Sequence, residues 1–183
     1  ARSAAVTTVN TTPTTTSTTP ATRCGTGSVI LQATASAGST IWYSAPTGGT
    51  PLATTNSFTT PSISATTTYY VEASTGSCTS TRTAVIATVN SVPTITSTTP
   101  ASRCDSGSVT LQATASNGTL SWYNTPTGGT ALGTGTSFTT PSISVSTNFY
   151  VESTDGTCTS ARTAVLATVN VTPSITSTSP SQV

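Results

Sequence analysis

The sequence predicts an all-β protein made of tandem β-sandwich modules. Two observations carry this: a close internal repeat, and short runs of alternating apolar and polar residues separated by turn signals. The stretch "TTPATRCGTGSVILQATA" from Thr18 returns as "TTPASRCDSGSVTLQATA" from Thr98, and the later landmarks keep the same 80-residue offset: Trp42 and Trp122, Phe58 and Phe138, Glu72 and Glu152, Cys78 and Cys158. Each copy of such a repeat is one structural unit. Residues 1–10 align with the tail of a repeat, 11–90 and 91–170 are whole repeats, and 171–183 align with the head of another. The chain therefore reads as a window on a longer array, beginning in the last strand of one repeat and ending in the first strand of another.

Within a repeat the Thr-rich "TPTTTSTTP" is the first strand. "SVILQATA" follows, with Val29, Leu31 and Ala33 on one face. "STIWYSA" leaves Ile41 and Trp42 adjacent, so its inward face is ambiguous on its own. The second copy, "TLSWYN", puts Leu120 and Trp122 in phase, which points both tryptophans inward and Tyr43 and Tyr123 outward. "PTGG" turns the chain. A short strand near Leu52, one through "SFTTP", one at "TTYYVEA", the turn "STGS" and a long strand "TRTAVIATV" complete about seven strands, the count of a sandwich. The buried Trp on the third strand and a Tyr at the start of the sixth, Tyr69 or Tyr70, resemble immunoglobulin-type sandwiches, in which such a Tyr forms a corner.

Composition narrows the function classes. Charged residues are 5% of the chain, His and Met are absent, all five basic residues are Arg, and roughly one residue in four is Thr. β-branched abundance favours strands over disorder. One carboxylate in the first whole repeat, three in the second and no His leave no paired-acid site that the repeats share and no base to activate a hydroxyl, so no enzyme is expected. A net charge of +1 offers no basic stripe for nucleic acid. No cofactor or metal site is expected, since calcium would need clustered acidic oxygens. No run approaches the ~20 apolar residues of a membrane helix. Two cysteines per repeat, without CxxC spacing or His, read as disulfides and place the protein outside the cytoplasm.

The motif set "RCGTGSVILQATA", "WY", "PTGGTPL", "SFTTPSISATTTYYVEA" and "CTSTRTAVIATVN" resembles the Ig-like repeat modules of large Bacteroidetes surface proteins, the kind found in gliding-motility adhesins and other cargo of the type IX secretion system. The resemblance covers both whole repeats and both partial ones. It implies an exported, cell-surface adhesin or fibre whose partners are neighbouring repeats, other copies of the filament or surface glycans.

An ordinary Ig domain ties its second strand to its sixth. Here Cys24 lies before the second strand and Cys78 beyond the sixth, which in Ig topology are opposite ends of the sandwich, separated by roughly 23 Å. A disulfide needs Cα atoms within ~7 Å. A head-to-tail array instead brings the first end of one module to the far end of the next, so Cys24 is expected to bond Cys158, leaving Cys78 for a preceding module and Cys104 for a following one. Cys24–Cys78 and Cys104–Cys158 remain the alternative if the topology differs. Tyr43 and Tyr123 are candidate stacking surfaces for a glycan, against simple cross-strand packing. Glu72 with Arg82, and Glu152 with Arg162, are expected as surface ion pairs worth up to ~1 kcal/mol. Arg23 and Arg103 are candidates for hydrogen bonds across the junction. The function expected is a structural stalk, with a repeated weak glycan- or surface-binding module or a self-assembling filament subunit as alternatives.

Overall fold

The computed structural model describes residues 9–175 and divides the chain into two compact units at Ser91 and Val92. The strands expected at residues 1–10 and 171–183 fall largely outside the described residues. Among the described residues there is no helix. The first unit has β1 (Thr15–Thr19), β2 (Ala21–Cys24), β3 (Ile30–Ala35), β4 (Ser39–Tyr43), β5 (Ser57–Thr59), β6 (Thr67–Ser74) and β7 (Thr83–Asn90). The second has β8 (Ile95–Thr99), β9 (Ala101–Cys104), β10 (Thr110–Ala115), β11 (Thr119–Tyr123), β12 (Gly133–Thr134), β13 (Ser137–Thr139), β14 (Thr147–Thr154) and β15 (Thr163–Asn170).

Each unit is an Ig-like sandwich. In the first, one sheet has the order β1-β3-β5 and the other β2-β7-β6-β4; in the second the orders are β8-β10-β13 and β9-β15-β14-β11-β12. The first strand differs from the single run expected of "TPTTTSTTP". It breaks at Pro20, whose nitrogen cannot donate to a ladder, and changes sheets. β1 pairs antiparallel with β3, while β2 pairs parallel with β7, Cys24 lying opposite Asn90. The same switch occurs at Pro100, with Cys104 opposite Asn170. Cys24 and Cys104 therefore end a strand rather than sit in the turn after it.

Period-2 alternation builds the core. Val29, Leu31 and Ala33 are buried while Ile30 is exposed; Trp42 is fully buried, and Leu120 and Trp122 are buried in phase. Thr40 occupies the place of Leu120, also fully buried, and its hydroxyl donates to the Thr55 carbonyl at 2.8 Å. Trp42 stacks on Phe58 with ring centroids 5.5 Å apart, and its indole N–H donates to the same Thr55 carbonyl at 2.8 Å. Tyr69 enters this core edge-on to Phe58. Phe149 takes the same place in the second unit without a hydroxyl, so a tyrosine corner is not what the two copies share. β3 and β6, the strands an ordinary Ig domain joins through a disulfide, carry fully buried Leu31 and Val71.

The short strand expected near Leu52 is only a bridge between Trp42 and Ala53 in the first unit and becomes β12 in the second. In the second unit the Gly135 amide bonds the Leu120 carbonyl at 2.9 Å and prolongs the pairing; in the first unit the contact between the corresponding residues is instead the Thr40 hydroxyl donating to the Thr55 carbonyl at 2.8 Å.

Candidate functional site

On the outer face of the sheet β4-β6-β7, Tyr43 pairs with Tyr70, and Ile41 with Glu72. Tyr43 and Glu72 are thus diagonal neighbours, within reach of a long side chain. The Tyr43 hydroxyl donates to Glu72 Oε1 at 2.8 Å. Arg82, one residue before β7, closes the group from the third strand: its Nε donates to Glu72 Oε2 at 3.2 Å, and its guanidinium carbon lies 3.2 Å above the centre of the Tyr43 ring. Its Nη1 then donates to the carbonyls of Ala45 and Gly48, both at 2.7 Å, pinning the "PTGG" turn to the sheet. Gly48 has φ 64°, and a Cβ there would meet nothing, so the backbone conformation and not crowding calls for glycine.

The second unit repeats every part. Tyr123 donates to Glu152 at 2.7 Å, Arg162 Nε to Glu152 at 2.9 Å, and Arg162 Nη1 to Thr125 and Gly128 at 2.9 and 2.7 Å, with the guanidinium 3.3 Å over Tyr123.

This arrangement changes the meaning of two sequence expectations. The Glu–Arg pairs are cross-strand partners, but they are not loose surface pairs: the Arg82 and Glu72 side chains are only 12% and 13% exposed. Every oxygen of the Glu72 carboxylate is engaged, and the cation is stacked on an aromatic face. Tyr43 and Tyr123 do lie on the opposite face from the tryptophans, yet they are not open stacking surfaces. Tyr43 is 7% exposed, with one ring face under Arg82. Burial first, then the bond to Glu72, raises the pKa of the Tyr43 phenol above its ordinary value. For Tyr123 the bond to Glu152 leads and burial follows. Burial alone raises Tyr69.

Arg23 and Arg103 bond within their own modules. Arg23 curls over the loop that follows it and donates to the carbonyls of Gly25, Thr26 and Ser28 at 2.9, 2.7 and 2.8 Å. A Cβ on Gly27 would collide with that guanidinium. Arg103 reaches Asp105 and Ser108 at 3.1 and 3.0 Å. Asp155 accepts the amides of Thr157 and Cys158 in its turn, which holds its carboxyl below the usual range. Asp105 accepts from Thr172 at 2.6 Å. Among the described residues, every Arg, Asp and Glu is thus engaged by groups of its own compact unit.

Cys24 and Cys158 are disulfide-bonded, and Cys78 and Cys104 are free thiols. Within the first module Cys24 lies beside Asn90, where β7 ends, while Cys78 lies in the turn before β7 begins, its carbonyl accepting from Thr75. The eight residues of β7 separate them by roughly 25 Å. The alternative pairing Cys24–Cys78 is therefore overturned by geometry and by the free thiol at Cys78, and Cys104–Cys158 by the same reasoning.

Tyr70, one of the two residues offered for the corner, is instead half-buried on the outer face beside Tyr43, and Tyr150, not singled out in the sequence, lies beside Tyr123 in the same way. The signal was present, since one residue of the Tyr69–Tyr70 pair must face outward. Among the described residues no three His, Cys, Asp or Glu side chains gather as metal ligands.

A family model described as "Ig-like domain CHU_C associated" matches residues 11–90 and again 91–173. No curated protein matches the chain. Similar solved structures include three N-terminal domains of the bacteriophage RB49 highly immunogenic outer capsid protein, at 10% identity and TM-score 0.47, covering 88% of this chain and 70% of that one. Sidekick-1 immunoglobulin domains 1–4 match at 15% identity and TM-score 0.46, covering 89% and 51%. The N-terminal eight Ig domains of Down syndrome cell adhesion molecule match at 10% identity and TM-score 0.48, covering 87% and 25%. The chain thus spans about half the length of the Sidekick-1 chain and a quarter of the adhesion molecule's.

Proposed function

The chain belongs to the CHU_C-associated Ig-like domain family, and from that premise we propose that it is a stalk segment of a large exported cell-surface adhesin of the Bacteroidetes type IX-secreted, gliding-motility kind. Its modules are clamped in series by a disulfide from Cys24 of one to Cys158 of the next. Cys78 and Cys104, their equivalents in the 80-residue repeat, make the same bond to flanking modules. The observation that carries this reading is the placement of each module's two cysteines at opposite ends of its last strand, where they cannot serve their own fold. Such a bond contributes little to a module's stability. It removes hinge freedom between modules, whose contacts are otherwise small and mobile. The polar, sparsely charged exterior and the engagement of every described charge within its own compact unit suit a spacer, whose useful property is reach.

Peptide mapping by mass spectrometry after proteolysis without reduction tests this. A linked peptide containing Cys24 and Cys158 is expected. Linked peptides pairing Cys24 with Cys78, or alkylatable thiols at all four cysteines, would overturn the clamp and leave beads on a flexible string.

A further inference from the structure

Beside the pinned "PTGG" turn of the first module lies an open depression of about 440 Å³, lined by Thr47, Gly48, Glu72, Ser80, Thr81 and Arg82. Its size is within the range of small-ligand sites. Hydrogen-bonding capacity there is unevenly spent. Glu72 uses both oxygens, and the Ser80 hydroxyl is taken by the Ala73 amide and the Thr81 carbonyl. Arg82 spends Nε and Nη1, but Nη2 has no hydrogen bond among the described residues, and neither have the Thr47 and Thr81 hydroxyls. Residues with unspent donors and hydroxyls therefore line one depression, whose wall also carries the Glu72–Arg82 pair. In the second module Arg162 likewise leaves Nη2 unspent, but Ala161 stands where Thr81 does, removing one hydroxyl.

We propose that this depression is a saccharide subsite that binds an uncharged sugar through Arg82 Nη2 and the Thr47 and Thr81 hydroxyls, with a weaker copy in the second module. The ligand class follows from the charge balance. Glu72 and Arg82 neutralise each other, so neither a cationic nor an anionic ligand gains net attraction, whereas a polyol supplies acceptors for the guanidinium and both donors and acceptors for hydroxyls. The subsite is independent of the stalk reading, and repetition along an array converts weak single sites into avidity.

The test is a titration of the intact two-module protein, isotopically labelled, with cellohexaose, maltohexaose and an oligogalacturonate as the acidic control, following backbone amides by NMR. At least one neutral oligosaccharide is expected to shift the amides of Gly48, Gly49 and Thr81, with the second module several-fold weaker. Thr81→Ala copies the residue of the second module, whose fold already accepts it, and is expected to weaken the first site about three- to tenfold, the effect of one hydrogen bond. Ala161→Thr is expected to strengthen the second site similarly. No shift at these amides with either neutral sugar, binding of the oligogalacturonate in preference, or affinities unmoved by both substitutions would each overturn the proposal.

Discussion

At the scale of single residues, the outer-face tyrosines behave unlike ordinary exposed phenols. Tyr43 donates to Glu72 only while it keeps its proton, so the folded state holds that proton more tightly than the unfolded chain does, and the folded pKa lies above the ordinary value of a phenol. The sign follows by linkage: the contribution to stability is complete below the unfolded pKa and is lost as pH rises through the higher folded one. Tyr123 acts in the same direction, as does Tyr69 through burial. The denaturation midpoint is therefore expected to fall above about pH 10. A variant with Tyr43→Phe and Tyr123→Phe should show a shallower fall, because the Tyr69 contribution remains. Titration of phenolate absorbance alongside denaturation checks both statements; equal slopes in the two proteins would contradict the assignment.

At the scale of strands, the two copies explain each other. Thr15 in β1 corresponds to Ile95 in β8; Ile95 packs against the core of its module, while the buried Thr15 hydroxyl has no hydrogen-bond partner. Thr15→Ile is expected to stabilise the first module by about 1–2 kcal/mol, by removing an unsatisfied polar atom and adding apolar burial. Calorimetric or denaturant unfolding measures it, and a loss of stability would mean that the first module cannot accommodate the larger side chain. The same comparison between copies made much of the fold legible in sequence. "TLSWYN" resolved the inward face of β4 because Leu120 and Trp122 share a phase that Ile41 and Trp42 obscure. The split of the first strand was less visible, because Thr-rich runs on both sides of Pro20 look alike and only the missing N–H separates them. The Tyr43–Glu72–Arg82 group was half legible. Glu72 and Arg82 flank the last hairpin symmetrically, but nothing local to either announces that a ring two strands away lies under the guanidinium, since that contact depends on sheet order.

At the scale of the whole molecule, each module closes its core without sulfur. Leu31 and Val71 are fully buried where an ordinary Ig domain has its bridge, and the aromatic stack through Trp42 and Phe58 joins the two sheets. Reduction is accordingly expected to leave both modules folded, with native-like amide spectra and module unfolding free energies changed by less than the ~2–5 kcal/mol that loss of a bridge within a small domain costs. Unfolding of either module on adding reductant would show that the bond serves the fold after all. The engagement of every described Arg, Asp and Glu within its own compact unit has a further consequence. With a net charge of +1 over 183 residues and only nine charged side chains in all, the chain presents mainly hydroxyls and amides to its surroundings. Its exterior is electrically quiet. Copies neither repel one another strongly nor gain much from counterions, so solubility and spacing between neighbours should be nearly the same in dilute and in briny water. Whether such a surface meets itself is then set by the hydration of threonine rather than by charge.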